Sequence, residues 1–229
     1  MGYSWLLFDA DGTIFDYDKA AAAALRQAFE QTGHRFEPRC AEAYRRINGR
    51  IWLEFEEGRI TQERLRTRRF ELLFDDLGVA ADPEAMSERY LEHLSRGTDL
   101  IDGAETVLER LSRRAEMALI TNGLKDVQRR RFARSTIRRF FRHLVISEEV
   151  GAAKPDPEIF DEAFRRMGRP PKSQVLMIGD SLSSDIQGGA DYGLDTCWFN
   201  PSGAPRDREV EIRYEIRRLG ELPALVEAA

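Results

Sequence analysis

The stretch Asp9 to Asp16, DADGTIFD, directly follows the apolar run Tyr3-Ser4-Trp5-Leu6-Leu7-Phe8. That run has the length and side chains of a buried strand. The strand therefore stops on the acids Asp9 and Asp11, separated by one alanine, and Gly12-Thr13 turns the chain out of the sheet. Alternation along a strand puts two residues spaced by one, such as these, on the same face. Both can therefore face one pocket, and Gly12 allows the chain to bend away just beyond them. In open α/β sheets, ligands bind at the carboxyl ends of strands.

The chain after Asp16 changes period. Alanine-rich residues up to Phe29 suit a helix that stops near Gly33. Pro38 opens another, with Tyr44, Ile47, Ile51, Trp52 and Phe55 at helical spacing. Thr61 caps a third, which ends at Gly78, and Asp82-Pro83 opens a fourth. From Leu100 onward strands and helices alternate: strands at 117–120, 144–146, 175–178 and 196–199, and a weaker one at 214–216. The helices between them include 104–113, 126–133, 157–167 and 184–192. Alternation of this kind gives a parallel sheet with helices on both faces. The expected fold is thus α/β, a Rossmann-like parallel core of residues 1–16 and 97–229. A helical cap, residues 17–96, is inserted after the first strand.

Polar signals close other apolar runs. Leu119-Ile120-Thr121-Asn122-Gly123 offers a hydroxyl and backbone N–H groups at a helix entrance, which suits a phosphate oxygen. Lys154, set before Pro155 in GAAKPDP, brings one positive charge with a restricted backbone. Ile178-Gly179-Asp180 ends a strand on an acid, and Asp185 follows. Asp180 suits a hard cation, and Asp185 suits the same ion or its outer shell.

At 229 residues with a net charge of -5, the chain can bury a substantial core and is not basic enough for a nucleic-acid polymer partner. The arginine run around Arg129 to Arg131 reads as a solvated helix face. Cys40 and Cys197 form no CxxC pair, which argues against a zinc site or structural disulfide and for a reduced, cytoplasmic setting. No leader pattern opens the chain, and no apolar run approaches the roughly 20 residues of a membrane span.

Taken together, DADGT, the Thr121 of LITNG, Lys154 in GAAKPDPEIF and GDSLSSD resemble the haloacid dehalogenase superfamily of phosphotransferases, over the whole chain. The resemblance implies that the first strand lies centrally, between those bearing Thr121 and Asp180. It implies Asp9 as nucleophile, Asp11 as acid and base, and Thr121 and Lys154 as catalytic groups on the phosphate, with Asn122 and Gly123 beside them. It also implies a magnesium ion on Asp9, Asp11, Asp180 and Asp185. Asp11 sets the chain apart from the 2-haloacid dehalogenases, which lack that acid. Lys19 is the only lysine of the cap, which argues against a phosphonoacetaldehyde hydrolase with its Schiff-base lysine.

The cap stretch from Ile47-Asn48-Gly49-Arg50-Ile51-Trp52 through Arg69-Phe70 is similar to the noncanonical pyrimidine 5′-nucleotidases. This implies a nucleoside monophosphate as the small-molecule phosphomonoester substrate, with Asn48 and Trp52 meeting the leaving group. A sugar-phosphate phosphatase or mutase is the alternative enzyme. A receiver-like phospho-aspartate protein is the alternative outside enzymes, although that module is about half as long and lacks a cap.

Overall fold

A computed structural model describes residues 2–206 and 209–228. The chain divides into two compact units. One comprises residues 1–16, 99–125 and 132–229; the other comprises residues 17–98 and 126–131.

The first unit is a six-stranded sheet, every pair parallel. Its strands are β1 (Trp5–Phe8), β2 (Glu116–Thr121), β3 (His143–Ile146), β4 (Val175–Gly179), β5 (Asp195–Phe199) and β6 (Tyr214–Ile216). The order β3-β2-β1-β4-β5-β6 puts β1 between the strands that lead to Thr121 and Asp180, as the resemblance implies. The strands read as continuous apolar runs because both faces are covered. Leu6, Phe8, Met117, Leu119, Leu176 and Ile178 enter one core, together with Val107, Leu108 and Leu111 of α5 (Ala104–Leu111). Leu7, Ala118, Ile120, Val145 and Met177 enter the other, against Ile159, Phe160 and Ala163 of the helix Pro157–Arg166. The period of two along each strand sorts these side chains.

The second unit is built from α1 (Tyr17–Gln31), α2 (Pro38–Glu56), α3 (Gln62–Leu77) and α4 (Pro83–Leu94). Helix α1 packs on α4, α2 on α3, and α3 on α4. The expected punctuation is present. The Thr61 side chain accepts from the Arg64 N–H, Gly78 ends α3 at φ 66°, and Asp82 accepts from the N–H groups of Glu84 and Ala85. The bundle core holds Phe29, Ile47, Ile51, Leu65, Phe70 and Leu73. Tyr44, Phe70 and Tyr90 form an aromatic cluster with ring centroids 5.1–5.8 Å apart.

Two sequence expectations change here. Helix α6 (Lys125–Arg134) does not present all its arginines to water: Arg131 is fully buried, and its Nε donates to the Gly97 carbonyl at 2.8 Å. An arginine can bury its apolar stem and satisfy its head on a backbone carbonyl, which composition alone does not reveal. The helix expected at 184–192 begins instead as a wide π-type turn, Leu182–Gln187, and only then becomes an α-helix, Gly188–Asp191. Its first turn is widened because the N–H groups of Asp185 and Ile186 both reach the Ser181 carbonyl.

Candidate active site

Strand β1 ends where expected, and Asp9 follows on the face of Leu7. Gly12 adopts φ 86°, and a Cβ built there would lie 2.4 Å from Asp180 Oδ2. Only glycine both takes that conformation and lets the two turns approach. Thr13, fully buried, donates from Oγ1 to Asp180 Oδ1 at 3.2 Å. The turn after β1 and the turn after β4 are thus held together by residues the motif carries for backbone and hydroxyl reasons.

Lys154 is the centre of the cluster. Its ammonium is 1% exposed and makes three hydrogen bonds: to Asp9 Oδ1 at 2.6 Å, Asp185 Oδ1 at 2.7 Å and the Ile120 carbonyl at 2.9 Å. Its backbone is clamped by the Asn122 side chain. Asn122 Oδ1 accepts from Lys154 N at 2.8 Å, and Asn122 Nδ2 donates to the Lys154 carbonyl at 2.9 Å. The carboxamide of Asn122, a residue proposed for the phosphate, is committed to the Lys154 backbone. Thr121 is buried, and its Oγ1 accepts from the Gly123 N–H at 3.0 Å, so that N–H is turned inward on the hydroxyl.

Asp185 is 1% exposed. One oxygen accepts from the Lys154 ammonium and the other from the Ser181 N–H at 3.0 Å. The wide turn is what brings this acid back beneath Gly179, whose missing side chain leaves the room: a Cβ there would fall 2.2 Å from Asp185 Oδ2. Ligand atoms of Asp9, Asp180 and Asp185 lie within 4.8 Å of one another.

The electrostatics follow from the count of charges. Burial pushes Asp9 well above the ordinary carboxylate range, Lys154 opposes this, and Asp185 and Asp180 add to it. Enclosure of the Asp180 carboxyl, with Asp185 close by, pushes it up to about 7, although part of the residue meets solvent. Burial pulls the Lys154 ammonium down, but Asp185 and Asp9 outweigh it and hold the lysine above its usual value. Three acids face one ammonium, so ionising all three leaves two negative charges uncompensated. Hard oxygen donors with that charge fit a divalent cation of the magnesium class.

In the helical unit, Asn48 is 5% exposed, and its Nδ2 donates to Tyr17 Oη at 3.1 Å. Trp52 is half-buried and stands edge-to-face with Phe55, ring centroids 5.7 Å apart. Arg50 and Arg59 pair with Glu54 and Glu57 of their own segment. The sequence does not show the Asn122 clamp, the bond from Thr13 to Asp180 or the burial of Arg69. A polar residue in an otherwise apolar helical stripe was the available signal for Arg69.

A parallel sheet whose central strand ends in a buried acid paired with a lysine defines an α/β enzyme built around that strand end. The model of the haloacid dehalogenase-like hydrolases matches residues 3–193, and the chain belongs to this family. It is 38% identical to HAD-hydrolase YfnB of Bacillus subtilis (strain 168), covering 96% of this chain and 94% of that one. It is 34% identical to the pyrimidine 5′-nucleotidase YjjG of Escherichia coli (strain K12), covering 99% of each. The crystal structure of YfnB bound to magnesium, which reveals interdomain movement in that protein, matches at a TM-score of 0.93 and 37% identity, over 99% of each chain. No helix among the described residues is long and apolar enough to cross a membrane.

Proposed function

We propose that this hydrolase is a magnesium-dependent phosphomonoesterase that acts through an aspartyl-phosphate on Asp9, with pyrimidine nucleoside 5′-monophosphates as substrates. The observation that carries the chemistry is the buried contact of Asp9 with Lys154, at the end of the central strand and beside Asp180 and Asp185. The kinship with pyrimidine 5′-nucleotidase YjjG supports the substrate class.

An Asp9 oxygen attacks phosphorus, the ester P–O bond breaks, and the departing alkoxide takes a proton from Asp11. Asp11 then accepts a proton from water, whose oxygen attacks the aspartyl-phosphate. Phosphate leaves and Asp9 is restored. Lys154 keeps Asp9 oriented and balances charge around the transferring group. Thr121, whose hydroxyl oxygen already accepts from the Gly123 N–H, donates its hydroxyl proton to a phosphate oxygen. Asp9, the main-chain carbonyl of Asp11 and Asp180 are the proposed magnesium ligands. Asp185, whose oxygens already serve Lys154 and Ser181, is assigned to the shell behind them. When bound, the ion supplies charge compensation for the phosphoryl oxygens and keeps Asp9 ionised. Asn48 and Trp52 of the helical unit are the proposed contacts of the nucleoside.

The test is phosphate release from uridine, thymidine, adenosine and guanosine 5′-monophosphates and from glucose phosphates, with magnesium and with EDTA. The pyrimidine nucleotides should give the highest kcat/KM, EDTA should abolish turnover, and Asp9→Asn should lose activity by about 10²-fold or more. Purine nucleotides or sugar phosphates preferred by about tenfold, roughly 1.4 kcal/mol, would leave a phosphatase but not a pyrimidine nucleotidase. Wild-type turnover in folded Asp9→Asn protein would remove Asp9 as nucleophile.

A further inference from the structure

Arg69 lies on α3 with 1% of its surface exposed. Its Nη1 donates to Asn48 Oδ1 at 3.3 Å, while its Nε and Nη2 have no hydrogen-bond partner. Among the described residues no carboxylate pairs with it. The ring centroids of Phe70 and Tyr90 stand 5.3 and 5.1 Å away. A buried guanidinium with no acid beside it is a cost to the fold. Its contact with Asn48, beside the hydroxyls of Tyr44 and Tyr90, is therefore informative.

Guanidinium carries donors only, so the Asn48 atom facing it is the carboxamide oxygen. The amino group is thereby turned to the other side, where it donates one proton to Tyr17 Oη. Tyr17 in turn shares a 3.1 Å hydrogen bond with Tyr90 Oη. Asn48, Tyr17 and Tyr44 line a cleft of about 180 Å³ within the helical unit. The Tyr44 hydroxyl is buried there without a partner, and burial holds it well above the ordinary phenol value, so it stays protonated. Asp18 and Arg45, on the same cleft, pair with each other at 3.3 Å.

We propose that Arg69 is a positioning residue: it locks the carboxamide of Asn48 so that a ligand in this cleft meets Asn48 as a hydrogen-bond donor, matched to a carbonyl oxygen on a flat ring. The inference rests on the nucleotidase reading above and deepens it by assigning the polarity of one base contact. On a pyrimidine, an exocyclic amine in place of that carbonyl sets donor against donor.

Uridine and cytidine 5′-monophosphates share ribose and phosphate and differ in this way at one ring position. The measurement is the ratio of their kcat/KM values in the full chain. In Asn48→Asp the residue still pairs with Arg69 but now offers an acceptor. The uridine-to-cytidine ratio should fall at least tenfold from that of the parent, with the change in KM. Arg69→Met frees the carboxamide to turn and should lower the ratio, and Arg69→Lys, which keeps a donor, should restore part of it. A purely structural Arg69 would weaken both nucleotides alike, and an unchanged ratio in folded variants overturns the proposal. The parent alone also decides it: a ratio within twofold of one, or in favour of cytidine, overturns it without any variant. Pyrimidines preferred over purines with such a ratio leave the nucleotidase reading intact. Purines or sugar phosphates preferred over both pyrimidines end that reading and this inference with it.

Discussion

Lys154 is the residue on which the buried acids depend. Its three hydrogen bonds use every proton of the ammonium, and the Asn122 clamp fixes the backbone that carries it. Removing one partner of a buried ionic cluster is far more damaging than the net worth of the cluster, because the remaining charges stay buried. Lys154→Met should therefore leave Asp9 and Asp185 facing each other uncompensated. The expected loss is about 3–5 kcal/mol in folding stability, read by urea unfolding. In kcat it should reach about 10²-fold or more, on the scale of roughly 3 kcal/mol for a lost electrostatic group. A variant as stable as the parent would show that the lysine is dispensable to the buried acids. Asn122→Ala should cost turnover through the same lysine, although its side chain is committed to the Lys154 backbone.

The turn after β1 shows what an element adds to its residues. Gly12 and Gly78 both hold the left-handed conformation, at φ 86° and 66°. A side chain at Gly78 would meet open space, whereas one at Gly12 would meet the Asp180 carboxylate. Gly78→Ala should cost about 1 kcal/mol of stability from backbone conformation alone and leave the magnesium requirement unchanged. Gly12→Ala should carry the same backbone cost and in addition displace Asp180. The magnesium concentration for half-maximal activity should then rise by about tenfold, or roughly 1.4 kcal/mol. Equal magnesium requirements in the two variants would dissociate Gly12 from the cluster. This turn was legible in the sequence because strand, acids and glycine are consecutive there. So were Thr121, Lys154 and Asp180, each near the end of an apolar run. The partners that cross between elements were not. Asn122 serves a residue 32 positions away and Arg69 one 21 positions away, and no local pattern encodes such pairings. The wide turn at Leu182–Gln187 was also hidden, since its six residues read as an ordinary helix start until the bonds to Ser181 are seen.

At the scale of the whole molecule, the sheet unit holds Asp9, Asp11, Thr121, Lys154, Asp180 and Asp185, while the helical unit holds Asn48, Trp52 and Arg69. Metal dependence is therefore expected to reside in one unit, with an effect on stability whose sign can be worked out. The Asp180 carboxyl is pushed up to about 7 by enclosure and by Asp185. A carboxyl raised above its unfolded value near 3.9 favours the folded chain while protonated. That contribution is full below the unfolded value and is lost as pH rises through about 7. In EDTA the melting temperature should accordingly decline over this window as the cluster gains charge. Magnesium binds the ionised acids and stabilises the folded state by mass action, about 2.7 kcal/mol at a hundredfold excess over Kd. For a chain of this size, that corresponds to a rise of roughly 5–10 °C. Because protons compete for the same oxygens, the rise should be large at about pH 8 and small at about pH 5. Scanning calorimetry with EDTA and with magnesium at the two pH values makes the comparison. An equal rise at both would mean that the ion does not bind through Asp180 and its neighbours, and no rise at either would remove these acids as a magnesium site.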